Sequence, residues 1–599
     1  MDEQNRNLIL ATVLSFLVIL GWMFFFPPAE STMTDDQVTD ASAPADPAAA
    51  PAPPASGDAA SLSGPEAVSA DAPRLAIDTP SLSGSIALTG GRIDELSLKN
   101  YHVEVDESSP LVELLNPVAS DTPYYALFGW APGGDLAYED VPGASTPWEI
   151  EEGETLTPDS PVTLSWDNGN GLIFRRTISI DEDYMFTVDQ TVENTTDGTV
   201  RLAPYGTVAR HGDLDLTGFF ILHEGVVRMS DSELQELDYD DLPDLDQIAR
   251  EGAPADVIEV IENGWIGFTD KYWMTTLIPT PGTAFTSVAK FVPDGEIYQT
   301  EARLPTQEVA PGETSGTSLR LFAGAKEWET ILDYQQQGIE RFTDSIDWGW
   351  FFFLTKPIFV VLHWLNGVIG NMGWAIIVLT LGIKALLFPL AYKSYVSMAK
   401  MKELQPEMEK LKEKAGDDRQ KLQQGMMELY KKNKVNPAAG CLPILMQIPI
   451  FFSLYKVIFV TLELRHAPWL LWIDDLSAPD PTSILNLFGL LPYAPPDPTS
   501  IFAILSLGVL PILLGISMWL QQKLNPAPAD ATQAMIFAWM PWVFMFMLGS
   551  FASGLVLYWI ANNTITFTQQ YLIMRSQGYK PDVLGNIFRS FRRQKSDAK

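Results

Sequence analysis

The stretch Gly373-Trp-Ala-Ile-Ile-Val-Leu-Thr-Leu-Gly-Ile-Lys-Ala-Leu-Leu-Phe-Pro-Leu-Ala391 decides the fold. It has the composition of a membrane helix, broken by one ammonium group, Lys384. Fixing that charge at such depth costs at least about 2.5–3.5 kcal/mol on insertion scales. If the helix runs on to Lys393, where water is expected to begin, the distance is about 13 Å at 1.5 Å per residue. That is too far for the side chain to snorkel fully. Lys384 therefore pairs with a buried acid or faces a wet cavity, the plainer alternative being partial snorkelling from a helix end. We read Lys384 as the lone charge of the spans, with no acid inside any other apolar run, which favours the cavity.

Working outward, apolar spans are predicted at 372–391, 442–463, 501–521, 535–550 and 554–573. The segment Trp348–Ile369 contains Lys356-Pro357, His363 and Asn366-Gly367. It is expected to be an interfacial amphipathic helix within 346–371 rather than a span. An N-terminal run, Leu8–Phe26, follows Arg6 and is long enough to cross. Pro27-Pro28-Ala29-Glu30 makes a poor cleavage site, so 1–26 is read as an uncleaved signal anchor. Basic residues crowd 393–434 and the tail 575–599, which the positive-inside rule places in the cytoplasm. Six spans then put both termini in the cytoplasm, and residues 27–347 become periplasmic.

The soluble part has a different composition. The chain carries 39 Lys+Arg against 75 Asp+Glu, which argues against binding to DNA. One cysteine, Cys441, leaves no disulfide framework. No cofactor, metal site or nucleotide loop is expected, and no enzyme activity. Residues 27–73, rich in Ala, Pro, Ser and Asp, cannot bury enough apolar surface to fold and form a linker. Residues 74–345 show alternating runs such as Leu172–Ile180 and Tyr184–Val192, separated by turns such as Asp167-Asn168-Gly169. They predict a large all-β sandwich. The acidic segment Asp231–Asp246 is expected to be a solvated loop, and His211 and His223 to be structural.

Within 393–434, Met398, Met401, Leu404, Met408 and Leu411 recur at helical spacing, as do Leu422, Met426, Met427 and Tyr430. Pro406 interrupts the first arm and Gly416-Asp417-Asp418 turns the chain. This predicts a helical hairpin. Its methionine stripe is either packing between the arms or an adaptable contact surface for incoming chains.

Several segments carry a resemblance. Met398-Ala-Lys-Met-Lys-Glu-Leu-Gln-Pro406, Lys434-Val-Asn-Pro-Ala-Ala-Gly-Cys-Leu-Pro443, Gln447-Ile-Pro-Ile-Phe451, Leu462–Trp469, Trp472–Leu476 and Ser553–Tyr558 are similar to the YidC family of bacterial inner-membrane insertases. Gly264–Trp273 resembles the end of that family's periplasmic domain. The resemblance implies five core helices over 372–574 and a periplasmic β-supersandwich. It implies an insertase and chaperone with a hydrophilic groove, open to cytoplasm and lipid. Nascent membrane proteins, the ribosome, membrane lipids and the Sec translocon are the implied partners, the chain working alone or beside Sec. The groove residues are Lys384, Thr380, Gln447, Ser517, Tyr558, Asn562 and Gln569. Many members carry arginine where this chain has Lys384, so a point-charge role carries over and a bidentate one does not. Met398, Met401, Met408, Met426 and Met427 are the hairpin contact candidates. Arg589, Arg592, Arg593 and Lys595 are candidates for ribosome contact, or alternatively simple orientation signals. A secondary transporter would also place a charge in a polar cavity. A membrane-anchored sugar enzyme would need only one anchor.

Overall fold

The structure is a computed structural model that describes residues 73–579, except 213, 215, 217–221, 417, 434, 436–441, 494–495, 497–505 and 526–530. The expected anchor at 1–26, nearly all of the linker, Cys441 and the four ribosome candidates lie outside the described residues.

Period-two alternation builds the first half. Along Leu172–Ile180, Leu172, Phe174, Ile178 and Ile180 face inward and are buried. Arg176 shares that inward row. Its guanidinium donates to Gly91 O at 2.9 Å and lies 4.4 Å from the Trp148 ring centroid, so the buried charge is partnered. The strand pairs antiparallel with Val162–Asp167 through the expected turn, where Gly169 takes φ +73°. Among the described residues the strands form two sheets, of twelve and nine strands. The acidic segment is not simply a loop. Glu233–Asp238 is an edge strand paired with Gly225–Ser230, followed by a 3-10 turn over Tyr239–Asp244. Charge on an edge strand keeps it from pairing with other chains. His223 is buried and has an acidic partner, Asp238 at 2.6 Å.

Helices follow: α1 (Trp328–Gln336), α2 (Phe352–Ile369), α3 (Met372–Leu386), α4 (Phe388–Glu403), α5 (Gln405–Ala415), α6 (Arg419–Lys432), α7 (Leu442–Val460), α8 (Val509–Leu524), α9 (Ala531–Met547) and α10 (Ser553–Ser576). One apolar core runs from the sheets through Trp348 and Phe359 into Leu362, Leu454 and Leu555.

Three features differ from expectation. The span expected over 372–391 is not continuous. It ends at Leu386 and the chain bends by 69° into α4. Pro389 is the cause, because it lacks an N–H and its ring clashes with the carbonyl four residues back. Next, α2 is unbroken through Pro357 and Asn366-Gly367. By length and composition it could itself cross a membrane, whereas α7, α8 and α9 hold shorter apolar stretches. The six-span count therefore does not follow from helix length. Finally, α9 begins four residues before the expected span and continues into a 3-10 turn at Leu548–Ser550. Its apolar stretch is Met535–Ser550, about 24 Å at 1.5 Å per residue, and α3 and α8, of 15 and 16 residues, are as short.

Candidate functional site: a polar chain across three helices

Because α3 stops at Leu386, Lys384 sits in its last turn. A cation there meets the negative end of the helix dipole. The ammonium is half-buried and donates to Gln447 Oε1 of α7 at 2.9 Å. An ammonium can only donate, so the amide must turn its oxygen to Lys384 and its nitrogen away. That nitrogen donates to Tyr558 OH of α10 at 2.6 Å. The Tyr558 hydroxyl, used as an acceptor, keeps its own hydrogen for another partner. Lys384, Gln447 and Tyr558 thus form one continuous polar chain. Thr380 is buried one turn earlier, but its hydroxyl donates to Ile376 O of its own helix at 2.7 Å. It offers the chain no free donor.

A second group lies between α8 and α10. Asn563 Nδ2 donates to Ser517 Oγ at 3.0 Å, and Ser517 donates to Leu514 O at 2.7 Å. Gln570 Nε2 reaches Leu524 O at 3.3 Å and Asn525 Oδ1 at 3.2 Å. For Ser517 this is ordinary helix-to-helix hydrogen bonding. Asn562 Oδ1 and Thr566 Oγ1 are buried with no hydrogen-bond partner among the described residues. Asn562 lies one turn from Tyr558 and Thr566 one turn further, so the two orphans continue the polar strip along α10. Gln569 is half-buried, and no partner for it is found among the described residues.

The hairpin divides its methionines. Met398 and Met401 are buried with Tyr395, Leu404, Ile573 and Met574 at the foot of α10, so these two serve packing. Met408 Sδ lies 3.8 Å from Tyr430 OH across the arms. The arms meet closely at Gly425, where an added Cβ would come within 2.8 Å of Leu411 Cδ2. Met426 is half-buried and Met427 is 62% exposed, which leaves Met427 as the stripe's clear outward member.

Lys384 is not the only charge in the helical part. Lys456 lies within the run 442–463, and Glu463 closes that run. Lys456 is buried and forms a short ion pair with Asp347. Glu463 Oε1 lies 3.1 Å from His363 Nδ1 of α2, and Glu329 of α1 lies 3.2 Å from His363 Nε2. The apolar letters around Lys456 mask a cation whose partner is remote in sequence.

Comparison with known proteins settles the family. Residues 74–361 match the YidC periplasmic domain and residues 364–580 match the 60Kd inner membrane protein family. A membrane protein insertase YidC of Jannaschia sp. strain CCS1 is 65% identical, the match covering 100% of each chain. One from Dinoroseobacter shibae is 67% identical over 99% of each. A solved structure described as an active YidC insertase with its first transmembrane domain resolved is 18% identical. It covers 84% of this chain and 93% of its own, with a TM-score of 0.34. With a large all-β domain of two sheets followed by apolar helices, and two thirds identity over its full length, this chain belongs to the YidC family, the inner-membrane insertases of membrane proteins.

Proposed function

We propose that insertion proceeds along the polar chain Lys384–Gln447–Tyr558 and its continuation past Asn562 and Thr566. A nascent helix with a polar tail must carry that tail through hydrocarbon. Each unpaired polar group it strips of water costs several kcal/mol, of the order of 2–7. A strip of side chains with spare hydrogen-bonding capacity replaces part of that lost water. Lys384 attracts acidic residues of the tail. Water supplies the partners that Asn562 Oδ1 and Thr566 Oγ1 lack among the described residues. The short apolar stretch Met535–Ser550, with α3 and α8, favours a locally thinned bilayer. The substrate helix leaves sideways into lipid, driven by burial of its own apolar surface.

In this reading six segments span the membrane, including the anchor at 1–26. Both termini are cytoplasmic and the β domain is periplasmic. Although α2 is long enough to cross, its contacts support an interfacial placement. Lys356 pairs with Asp344, and His363 reaches Glu329 of α1. Both acids precede α2, and the contacts extend along about 10 Å of the helix at 1.5 Å per residue. A helix descending away from the β domain would lose the second contact. The basic hairpin and tail face the ribosome and anionic lipid. The chain works alone or beside the Sec translocon.

The carrying observation is the hydrogen-bonded run from α3 through α7 to α10. Its test is photo-crosslinking of stalled nascent chains to probes placed at 558 and 562, with lipid-facing probes at 381 and 543 as controls. Crosslinks confined to the controls would sink the groove.

A further inference from the structure

Asp347 collects three donors from three parts of the molecule. Its Oδ2 accepts the backbone N–H of His223 from the β domain at 2.9 Å. Its Oδ1 accepts the N–H of Gly349 at 3.1 Å. The Lys456 ammonium of α7 also closes on Oδ2. The pair is enclosed, Asp347 being 9% and Lys456 6% exposed. The turn between them is built for the contact. Gly349 takes φ +66°, and a Cβ there would lie 3.3 Å from Lys456 Cε. Lys456 and Gln447 share α7, with Pro449 between them. Pro449 removes one rung of the helix ladder and marks a point of bending. Gln447 and Lys456 thus lie on opposite sides of that point, Gln447 tied to α3 and α10 and Lys456 tied to Asp347.

We propose that Asp347 is a positioning residue for insertion: by fixing Lys456 it sets the placement of α7, and with it the reach of Gln447 between Lys384 and Tyr558. The inference rests on the groove reading given above. Charge is suited to this task because removing one partner of an enclosed pair takes from the other its nearest counter-charge, here among the further charges of Glu236 and Lys326, whereas removing both is better tolerated. An apolar contact would slide with little change in energy; an ion pair with two additional backbone donors has one register.

The test uses the full-length chain in a strain depleted of its own insertase. The variants are Asp347→Asn, Lys456→Met, the two combined, and Lys456→Arg. Insertion of a single-span substrate is measured at matched abundance. A photo-reactive phenylalanine analogue at 451 reports placement of α7, since the Phe451 and Trp559 rings lie 4.9 Å apart. We expect Asp347→Asn to slow insertion about tenfold and to lower crosslinking from 451 to α10. The combined variant should return to within about threefold of the parent, as coupled neighbours do in a double-mutant cycle. Lys456→Arg should keep both readouts. A merely structural role would lower abundance and leave the normalised crosslink unchanged. Normal insertion by Asp347→Asn, a combined variant no better than the worse single, or an unmoved crosslink overturns the proposal. Absence of nascent-chain crosslinks at 558 in the parent would instead overturn the groove.

Discussion

Lys384 Nζ lies 2.9 Å from Gln447 Oε1, so among the described residues the cation is paired with a neutral amide and not with an acid. A carboxylate would have cancelled the charge. The amide holds the ammonium in place and leaves its charge to act on whatever enters, with donors to spare. The field of one uncancelled charge is strong where water is partly excluded.

Charge at 384 should therefore matter more than shape. Lys384→Arg should retain insertion. Lys384→Leu and Lys384→Glu should lose it for substrates with acidic tails, on the order of tenfold or more. Gln447→Leu should cost less, because the charge remains but loses its fixed position. Complementation in a depletion strain reads all four, and equal activity throughout would reject the role.

Cysteine labelling checks the topology, after Cys441→Ser. Positions in 27–347 should label from the periplasm. Positions in 393–434 and beyond 575 should label only from the cytoplasm, because of the Lys/Arg asymmetry. Periplasmic labelling within the hairpin would overturn the arrangement.

How much of this was legible depends on how local each signal is. The strands were, because alternation along Leu172–Ile180 is written in neighbouring letters. Their order was not: Val200–His211 pairs with Tyr124–Gly133, a partner that no periodicity names. Lys384 stood out against its apolar run, and the break beyond it was present in Pro389, though hydropathy runs straight across a proline. Tyr558 belonged to a polar strip at helical spacing with Asn562 and Gln569, whereas Gln447, a lone amide in its helix, has no periodic signature. Lys456 was hidden for the opposite reason. Its neutralising partner Asp347 lies 109 positions away, outside any apolar run. Composition also could not divide interfacial from spanning for α2, because both need an apolar face. Its contacts with Asp344 and Glu329 bear on that, and they are tertiary.

Removing most of residues 74–320 should leave insertion largely intact, while loss of the segment leading into Trp348 should not. That segment bears ion pairs to the helices, whereas residues 74–320 add contacts such as Arg465 to His102 O at 2.5 Å and Lys271 over Phe459. Asp344 holds Lys356, Asp347 holds Lys456, and Trp348 packs on Phe359 with ring centroids 5.3 Å apart. Insertion by stably expressed, correctly oriented deletion variants is the measurement. Failure of the 74–320 deletion would show that the sheets do more than tether.

His223 gives the β domain a pH dependence of definite sign. Burial alone would lower its pKa, but the Asp238 carboxylate, the charge of Glu236 and the Val226 carbonyl outweigh that and raise it above 6.5. A raised histidine adds stability that is fully present below its unfolded value and is lost as pH rises through the folded one. The urea midpoint of the solubilised chain, followed by Trp fluorescence, should therefore fall as pH rises above the ordinary histidine value of about 6.5. His223→Gln should flatten that fall. An unchanged slope in the variant would assign the dependence to other groups.

The tail Ile587-Phe-Arg-Ser-Phe-Arg-Arg-Gln-Lys595 joins four cations to two aromatics in a chain that is otherwise acidic. It lies outside the described residues, and its charge is what points to a partner. Basic tails hold a last span in orientation and touch anionic lipid. Insertion during synthesis also brings a ribosome to the cytoplasmic side, and ribosomal RNA is a polyanion. Binding through phosphates releases counterions and weakens steeply as salt rises. Co-sedimentation of ribosomes with the solubilised protein, with and without residues 580–599, should show weaker binding and a shallower salt slope on truncation. If neither changes, Arg589, Arg592, Arg593 and Lys595 serve orientation alone. Ribosome contact then falls to the hairpin, where Lys410, Lys412 and Lys414 are exposed, and reversing those charges should abolish it.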